Sequence, residues 1–305
     1  MNKSKLIVVV GPTASGKSEL AIKLAKKFDG EIISADSRQI YRGLDIGSGK
    51  VKGKWQKLNG KTAYVYKNIP HYLIDEVNPK TQFSVEKFQR RAQKLIDDIL
   101  KRNKLPIICG GTMHWVDAII FEQSLPKVKP NSKLRSQLSH LTPSEMFTML
   151  KRLDSERAKT IDAKNPRRLI RALEIIKATG KPVPKQTQTS KYGTLWIGVK
   201  PNNVALDSKI KKRLRDRLKH GMIEEVVSLH KQGLSWKQLE SFGLEYKYCA
   251  LFLQNKLTRE ELEEQLFHAI RQYAKRQMTW WKRNADIQWI KIETEAMNLA
   301  RRALE

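Results

Sequence analysis

The feature that most constrains this chain is a β-branched run joined directly to a glycine-rich turn. Leu6-Ile7-Val8-Val9-Val10 is uniformly apolar and reads as a buried strand. Gly11-Pro12-Thr13-Ala14-Ser15-Gly16-Lys17-Ser18 follows at once. Residues from Ser18 to Phe28 then place Leu20, Ala21, Leu24 and Ala25 on one helical face. Strand, turn and helix in that order are the context that makes GxxxxGK[ST] a phosphate loop. The glycines let successive N–H groups face an anion, and the helix N-terminus adds partial positive charge. Lys17 adds a full charge, and Ser18 offers a hydroxyl to Mg2+. A chance glycine turn is the competing explanation, and the strand–helix context weighs against it.

Further short strands read at Glu31–Ala35, at Leu105–Cys109 before Gly110-Gly111, and at Thr194–Val199. Strands alternating with helices predict an α/β fold, a P-loop NTPase-like parallel sheet core flanked by helices. At 305 residues, about two domains are expected. From Pro126 the chain turns polar, basic and helical until about Tyr192. The predicted organisation is therefore a catalytic core of residues 1–120 and 191–305, helical in its C-terminal part, interrupted by a helical insertion at 121–190. Residues 50–69 are lysine-rich and read as a hairpin or mobile loop.

Charge narrows the function. Lys and Arg number 59 against 31 Asp and Glu, a net charge of +28. A small phosphorylated substrate needs two or three cations, so this excess points to a polyanion, nucleic acid before an acidic membrane surface. The insertion carries the highest net charge per residue and is the expected polyanion contact. Cys109 and Cys249 cannot form a disulfide framework or a cysteine-rich zinc site. No stretch approaches the ~18 apolar residues of a membrane span, and Leu6–Val10 is too short for a signal-peptide core. The expectation is a cytoplasmic protein with no membrane contact and no obligate protein partner.

A phosphate loop implies a diphosphate-bearing ligand, not ATP hydrolysis. An NTPase also needs an acid at a strand end. Asp75, in Tyr72-Leu73-Ile74-Asp75-Glu76, follows only a weak strand and reads as a loop anchor. Asp36 follows the second strand directly, where C-terminal strand ends line a ligand crevice. There it serves as a general base, a Mg2+ ligand or a cap for the next turn.

GPTASGKS at 11–18 and ISADSRQIYRGLDIG at 33–47 resemble the signatures of the tRNA dimethylallyltransferases, or tRNA isopentenyltransferases. PHYLID at 70–75, GGTM at 110–113, NPRRLIRALE at 165–174, QTQTS at 186–190 and RQYAKRQMTWWKR at 271–283 are similar to later blocks of that family, in the same order. The resemblance implies transfer of a dimethylallyl group from dimethylallyl diphosphate to the exocyclic amine of an adenosine just 3′ of the tRNA anticodon. It implies diphosphate, not ATP, on residues 11–18, with Mg2+ assisting. By position it makes Asp36 the base, and Lys17 and Arg213 the groups that stabilise the leaving diphosphate. Without it, Arg213 is one more charge in a basic helix. The resemblance also implies tRNA contacts at Asp36, Ser37, Arg38, Gln39, Thr112, Arg135, Arg167, Arg168 and Arg171. Arg168 and Arg171 are three apart and share a helix face. Arg271, Lys275, Arg276 and Gln277, among Tyr273, Trp280 and Trp281, suit an RNA backbone or an ordinary amphipathic helix equally well.

The chain departs from the family at Met113-His114-Trp115, where Leu-Tyr is common. Trp115 is expected to reshape the prenyl channel and His114 to be a core or supporting residue. Residues 50–69 are longer than the usual connection, and Gly243-Leu-Glu-Tyr-Lys247 replaces a shorter Gly-Tyr form. Two enzymes compete with the leading reading. An adenylate isopentenyltransferase on free nucleotide would use the same chemistry but has no need of the +28 charge. A nucleotide kinase or ATPase would use Asp36 or Asp75 with Mg2+. An RNA-binding protein with an inactive site is the last alternative.

Overall fold

Strand β1 (Lys5–Val10) forms because five consecutive buried residues, Leu6 to Val10, have a neighbour on each side. It pairs in parallel with β6 (Leu105–Cys109) and with β7 (Gly193–Val199). A strand covered on both faces needs no polar alternation, which is why these runs are continuously apolar. The computed structural model describes residues 5–58, 61–121, 123–185, 189–200 and 202–305. Gln186, Thr187 and Gln188 of the QTQTS block lie outside the described residues.

Among the described residues one eight-stranded sheet runs in the order β3-β4-β5-β2-β6-β1-β7-β8. The remaining strands are β2 (Gly30–Ser34), β3 (Lys54–Leu58), β4 (Lys61–Tyr66), β5 (Ile69–Tyr72) and β8 (Gln288–Ile290). From β5 to β8 all pairings are parallel; β3-β4 and β4-β5 are antiparallel. The lysine-rich stretch is thus a hairpin at one edge of the sheet. The strand expected at Tyr72–Glu76 lies earlier, at Ile69–Tyr72, and the chain turns at Leu73 and Asp75, both at positive φ.

Two compact units divide the chain, Met1–Ile120 with Ser190–Glu305, and Phe121–Thr189. The first holds the sheet and helices α1 (Lys17–Lys27), α2 (Val85–Lys101) and α3 (Met113–Ile120). The second holds α4 (Ser132–Ser139), α5 (Pro143–Leu153), α6 (Ser155–Thr160) and α7 (Pro166–Thr179). The first unit then continues through α8 (Asn203–Lys219), α9 (Met222–Lys231), α10 (Trp236–Ser241) and α11 (Leu244–Leu253). It ends with α12 (Arg259–Trp281) and α13 (Glu293–Leu304). None of the helices among the described residues is long and apolar enough to cross a membrane.

The core of the first unit joins Ile7, Val9, Leu20, Leu24, Ile32, Ile107 and Ile197. The second has its own, built on Leu134, Leu138, Met146, Leu150, Leu169 and Leu173. Its helices begin at readable signals. A capping box joins Thr142 and Glu145 around Pro143, and Asn165 caps α7 with Pro166 at the first helical position. Helix α12 begins at a Thr258–Glu261 capping box. It buries Leu262, Leu266, Ile270, Ala274, Gln277 and Trp281 along one stripe; Gln277 is the polar member.

Candidate active site

The site begins with what the 11–18 loop leaves unpaired. Gly16 sits at φ 91°, a left-handed conformation that suits glycine, and starts α1 without a side-chain cap. Among the described residues no protein acceptor takes the N–H of Ala14, Gly16, Lys17 or Ser18. The buried Ser15 hydroxyl also lacks a partner there. Thr13 is the exception, because its N–H donates to Gln277 Oε1 at 2.8 Å. Gln277 Nε2 in turn donates to the Gly111 carbonyl at 2.9 Å, and the Tyr273 hydroxyl reaches that carbonyl at 3.1 Å. Helix α12 thereby clamps the loops that follow β1 and β6.

The loops after β2 and β6 meet tightly. Ala35 N–H donates to Cys109 O at 2.8 Å, and Thr112 N–H donates to Ala35 O at 3.2 Å. A Cβ on Gly110 would lie 2.2 Å from that Ala35 oxygen, so this approach requires glycine. Asp36 is the next residue. Its Oδ1 accepts from the N–H of Arg38 (2.9 Å) and of Gln39 (3.4 Å), and among the described residues no donor reaches Oδ2. The capping role and a free carboxylate oxygen coexist in one side chain.

Lys17, Arg213 and Asp36 feel one another's charge. Burial lowers the Lys17 ammonium, Arg213 and Arg217 push the same way, and Asp36 opposes them. Burial also brings Arg213 down to about 10, with Arg217 adding to the shift. The two arginines differ in what holds them. Arg217 donates to Gly47 O and to Glu245, both at 3.0 Å. Arg213 has no hydrogen-bond or ion-pair partner among the described residues. A half-buried guanidinium without a carboxylate, beside a half-buried lysine that donates to Pro12 O at 3.3 Å and a row of free N–H groups, is a site for a multiply charged anion. Among the described residues no cluster of three or more His, Cys, Asp or Glu could hold a metal.

A family model described as IPP transferase matches residues 39–284. The chain belongs to the IPP transferase family. Among relatives of this transferase, a Treponema denticola protein named tRNA dimethylallyltransferase 2 is 40% identical, covering 95% of this chain and 96% of that one. A Staphylococcus haemolyticus tRNA dimethylallyltransferase is 39% identical, covering 98% and 90%. The solved tRNA isopentenylpyrophosphate transferase of Bacillus halodurans superposes with TM-score 0.72 at 33% identity, covering 99% and 97%. A eukaryotic dimethylallyltransferase described as acting on tRNA gives TM-score 0.77 at 28% identity, covering 94% of this chain and 74% of that one. The fold is that of these transferases, a P-loop NTPase-like core.

The remaining candidate residues fall into distinct settings. Thr112 Oγ1 accepts the Ser37 N–H at 3.0 Å and bonds the Ser37 hydroxyl at 3.3 Å. Gln39 is engaged internally. Its Oε1 accepts from Ser34, and its Nε2 reaches Ser48 O and Gly49 O at 3.4 and 3.2 Å. Arg38 is partly exposed. In the helical unit Arg167 and Arg168 are exposed, but Arg135 and Arg171 both turn onto the buried Glu174. Arg171 also reaches Val128 O at 3.0 Å, so Arg168 and Arg171 are not a free pair. Arg271 pairs with Asp207, whereas Lys275 and Arg276 are exposed. Gln277 is buried rather than offered to RNA, because both ends of its amide are spent on loops of the site.

Asp75 is a loop anchor. It holds Lys50 at 2.7 Å and accepts the Trp55 indole N–H at 3.1 Å. His114 is exposed at the start of α3, not in the core. Trp115 is buried and stacks on Phe88 at a centroid distance of 4.0 Å, which makes it packing material. Sequence reasoning missed Glu225, which accepts N–H groups from Asp45, Ile46 and Gly47 at 3.0, 2.6 and 3.1 Å and so fixes the segment after Asp36. Gly-x-Asp-x-Gly at 43–47 signalled a turn, but nothing local pointed to its partner.

Proposed function

We propose that this protein transfers a dimethylallyl group from dimethylallyl diphosphate to the exocyclic amine of the adenosine 3′ of the tRNA anticodon, in the cytoplasm. The observation that carries the reading is the pairing of a free-handed anion site with a single carboxylate. The unpaired N–H groups of Ala14, Gly16, Lys17 and Ser18, with Lys17 and Arg213, offer a place for a multiply charged group, and Asp36 keeps Oδ2 unclaimed.

The chemistry follows from the charges. The adenine amine is a poor nucleophile because its lone pair is delocalised into the ring. As the nitrogen bonds to the allylic carbon, that carbon releases diphosphate, and the amine proton passes to Asp36. General-base help of this kind is worth about 10²–10⁴ in rate. Negative charge grows on the leaving diphosphate, where Lys17, Arg213 and the loop N–H groups stabilise it. Gly11, Pro12 and Thr13 shape the loop, and Gln277 holds Thr13 in place. Mg2+ fits here because it needs few protein ligands when diphosphate supplies oxygens. The exposed Ser18 hydroxyl is the ligand offered. When bound, Mg2+ neutralises part of the diphosphate charge.

The base must leave the anticodon-loop stack to reach Asp36. Ser37, Arg38 and Thr112 border that position. In the helical unit the exposed Arg167 and Arg168 are the phosphate contacts, with Lys275 and Arg276 on α12. The test is nucleoside mass spectrometry after incubation with dimethylallyl diphosphate, Mg2+ and unmodified tRNA, with AMP and ATP as parallel acceptors. An isopentenyl increment is expected on tRNA adenosine alone. An increment only on free nucleotide makes the protein an adenylate enzyme. Asp36→Asn, which keeps the Oδ1 acceptor, is expected to abolish transfer while sparing tRNA binding. Unchanged turnover in that variant removes Asp36 as the base.

A further inference from the structure

The β3-β4 hairpin has no role in the anion site. From Ile46 to Ile74 the chain contains no acidic residue, yet it holds Lys50, Lys52, Lys54, Lys57, Lys61 and Lys67. Two of these are spent. Lys50 is buried against Asp45 (2.5 Å), Asp75 (2.7 Å) and Tyr41 O (2.8 Å), and Lys67 pairs with Glu19. Lys52, Lys54 and Lys57 are exposed and meet no carboxylate among the described residues.

The hairpin is rigidly seated. Tyr64 crosses it, its hydroxyl donating to Val51 O at 2.8 Å and accepting the Gly53 N–H at 3.1 Å. Trp55 meets Tyr64 edge-on and donates to Asp75. The free lysines are therefore displayed on a fixed edge strand, not on a loose loop.

Register brings the C-terminal end of this edge to the end of the sheet where the site opens, while Lys54 stands level with Glu31. Trp55 stands opposite Tyr64, Tyr64 opposite His71, and His71 opposite Ile32. Strand β3 runs parallel to β2, so Lys57 and Leu58 reach the height of Ser34 and Ala35, just before Asp36. Three strand spacings separate them from β2, roughly 14 Å. Lysines on an edge strand also discourage edge-to-edge aggregation. That purpose does not call for an acid-free run of this length.

We infer that the β3 edge is a tRNA-binding surface of this chain, with Lys52, Lys54 and Lys57 lying along the phosphate backbone of the stem whose loop enters the site. The inference rests on tRNA being the acceptor, as proposed above. Phosphate contacts release counterions, so their loss shows in the salt dependence of binding.

The experiment compares K52Q/K54Q/K57Q with the wild type, with K52R/K54R/K57R, and with K291Q/R301Q/R302Q. The last removes the same charge from the β8 edge and from α13. Fluorescence anisotropy follows binding of unmodified tRNA across a salt series, without dimethylallyl diphosphate. The glutamine variant is expected to bind on the order of tenfold more weakly at low salt, with a log–log slope shallower by roughly 2. The arginine variant and the β8-edge variant are expected to keep the wild-type slope. A wild-type slope in the glutamine variant overturns the proposal. An equal loss in the β8-edge variant also overturns it, since the effect would then belong to net charge. Should the triple variant aggregate, single K54Q and K57Q are each expected to lower the slope by roughly 0.7, and unchanged slopes overturn the proposal. Transfer assays separate the two readings. Hairpin-dependent binding without transfer to tRNA removes the catalytic reading alone, and transfer with hairpin-independent binding removes this surface alone.

Discussion

Gln277 shows how much one side chain can do for a loop it is remote from in sequence. It takes the Thr13 N–H and ties it to Gly111, so the phosphate cradle keeps its shape before any anion arrives. Gln277→Leu preserves the apolar stripe of α12 but strands the Thr13 N–H and leaves the Gly111 carbonyl with Tyr273 alone. Leaving such a donor unpaired costs about 1–3 kcal/mol. The expected result is pyrophosphate binding weakened roughly tenfold, at about 1.4 kcal/mol per decade, read by titration calorimetry. Tight binding in the variant would show that the loop is self-supporting. The glycine loop, Lys17 and Asp36 were legible in the sequence because their signals are local: a strand, a turn and a residue at a strand end. Gln277 was not, because its partner is 264 positions away and its neighbours are equally good RNA contacts on paper.

Among the elements, α7 carries the clearest electrostatic commitment. Burial would raise the Glu174 carboxyl, but Arg135, the Asn131 N–H and Arg171 outweigh it and hold the group at about 2. A carboxyl depressed in this way contributes stability above its unfolded value of about 4.3 and loses it as pH falls towards 2. Glu174→Gln is expected to destabilise the chain by about 3 kcal/mol at neutral pH, because two arginines lose their buried partner. It should also flatten the acid limb between pH 5 and 2. Thermal melts of both proteins across that range measure the difference, and parallel limbs would show that Glu174 titrates as an ordinary carboxyl. The helices of this unit were readable from caps such as Thr142-Pro143 and Asn165-Pro166. The Glu174 centre was not, since an arginine three residues from another looks the same whether it faces solvent or a buried acid. In the sheet, β5 was expected later, at Tyr72–Glu76, because Pro70 and His71 interrupt its apolar pattern.

At the level of the whole molecule the charge of +28 sets the partner more than any single residue does. Binding of tRNA is expected to weaken steeply with salt, at roughly 0.7–0.9 log units per decade for each phosphate contact. AMP, offering a single phosphate, should show a slope near one contact. Equal slopes for the two ligands, measured by the same competition assay, would sever charge from tRNA recognition. The sheet has a further consequence in time. Strand β1 is made long before its neighbour β7, which begins at Gly193, and the clamp on Thr13 waits for Gln277. At about 5–20 residues per second, the ribosome adds that clamp on the order of tens of seconds after the loop itself. A nascent chain that has not reached Gln277 therefore displays the phosphate-loop sequence without a formed cradle, and anion binding becomes a property only of a chain translated past that residue.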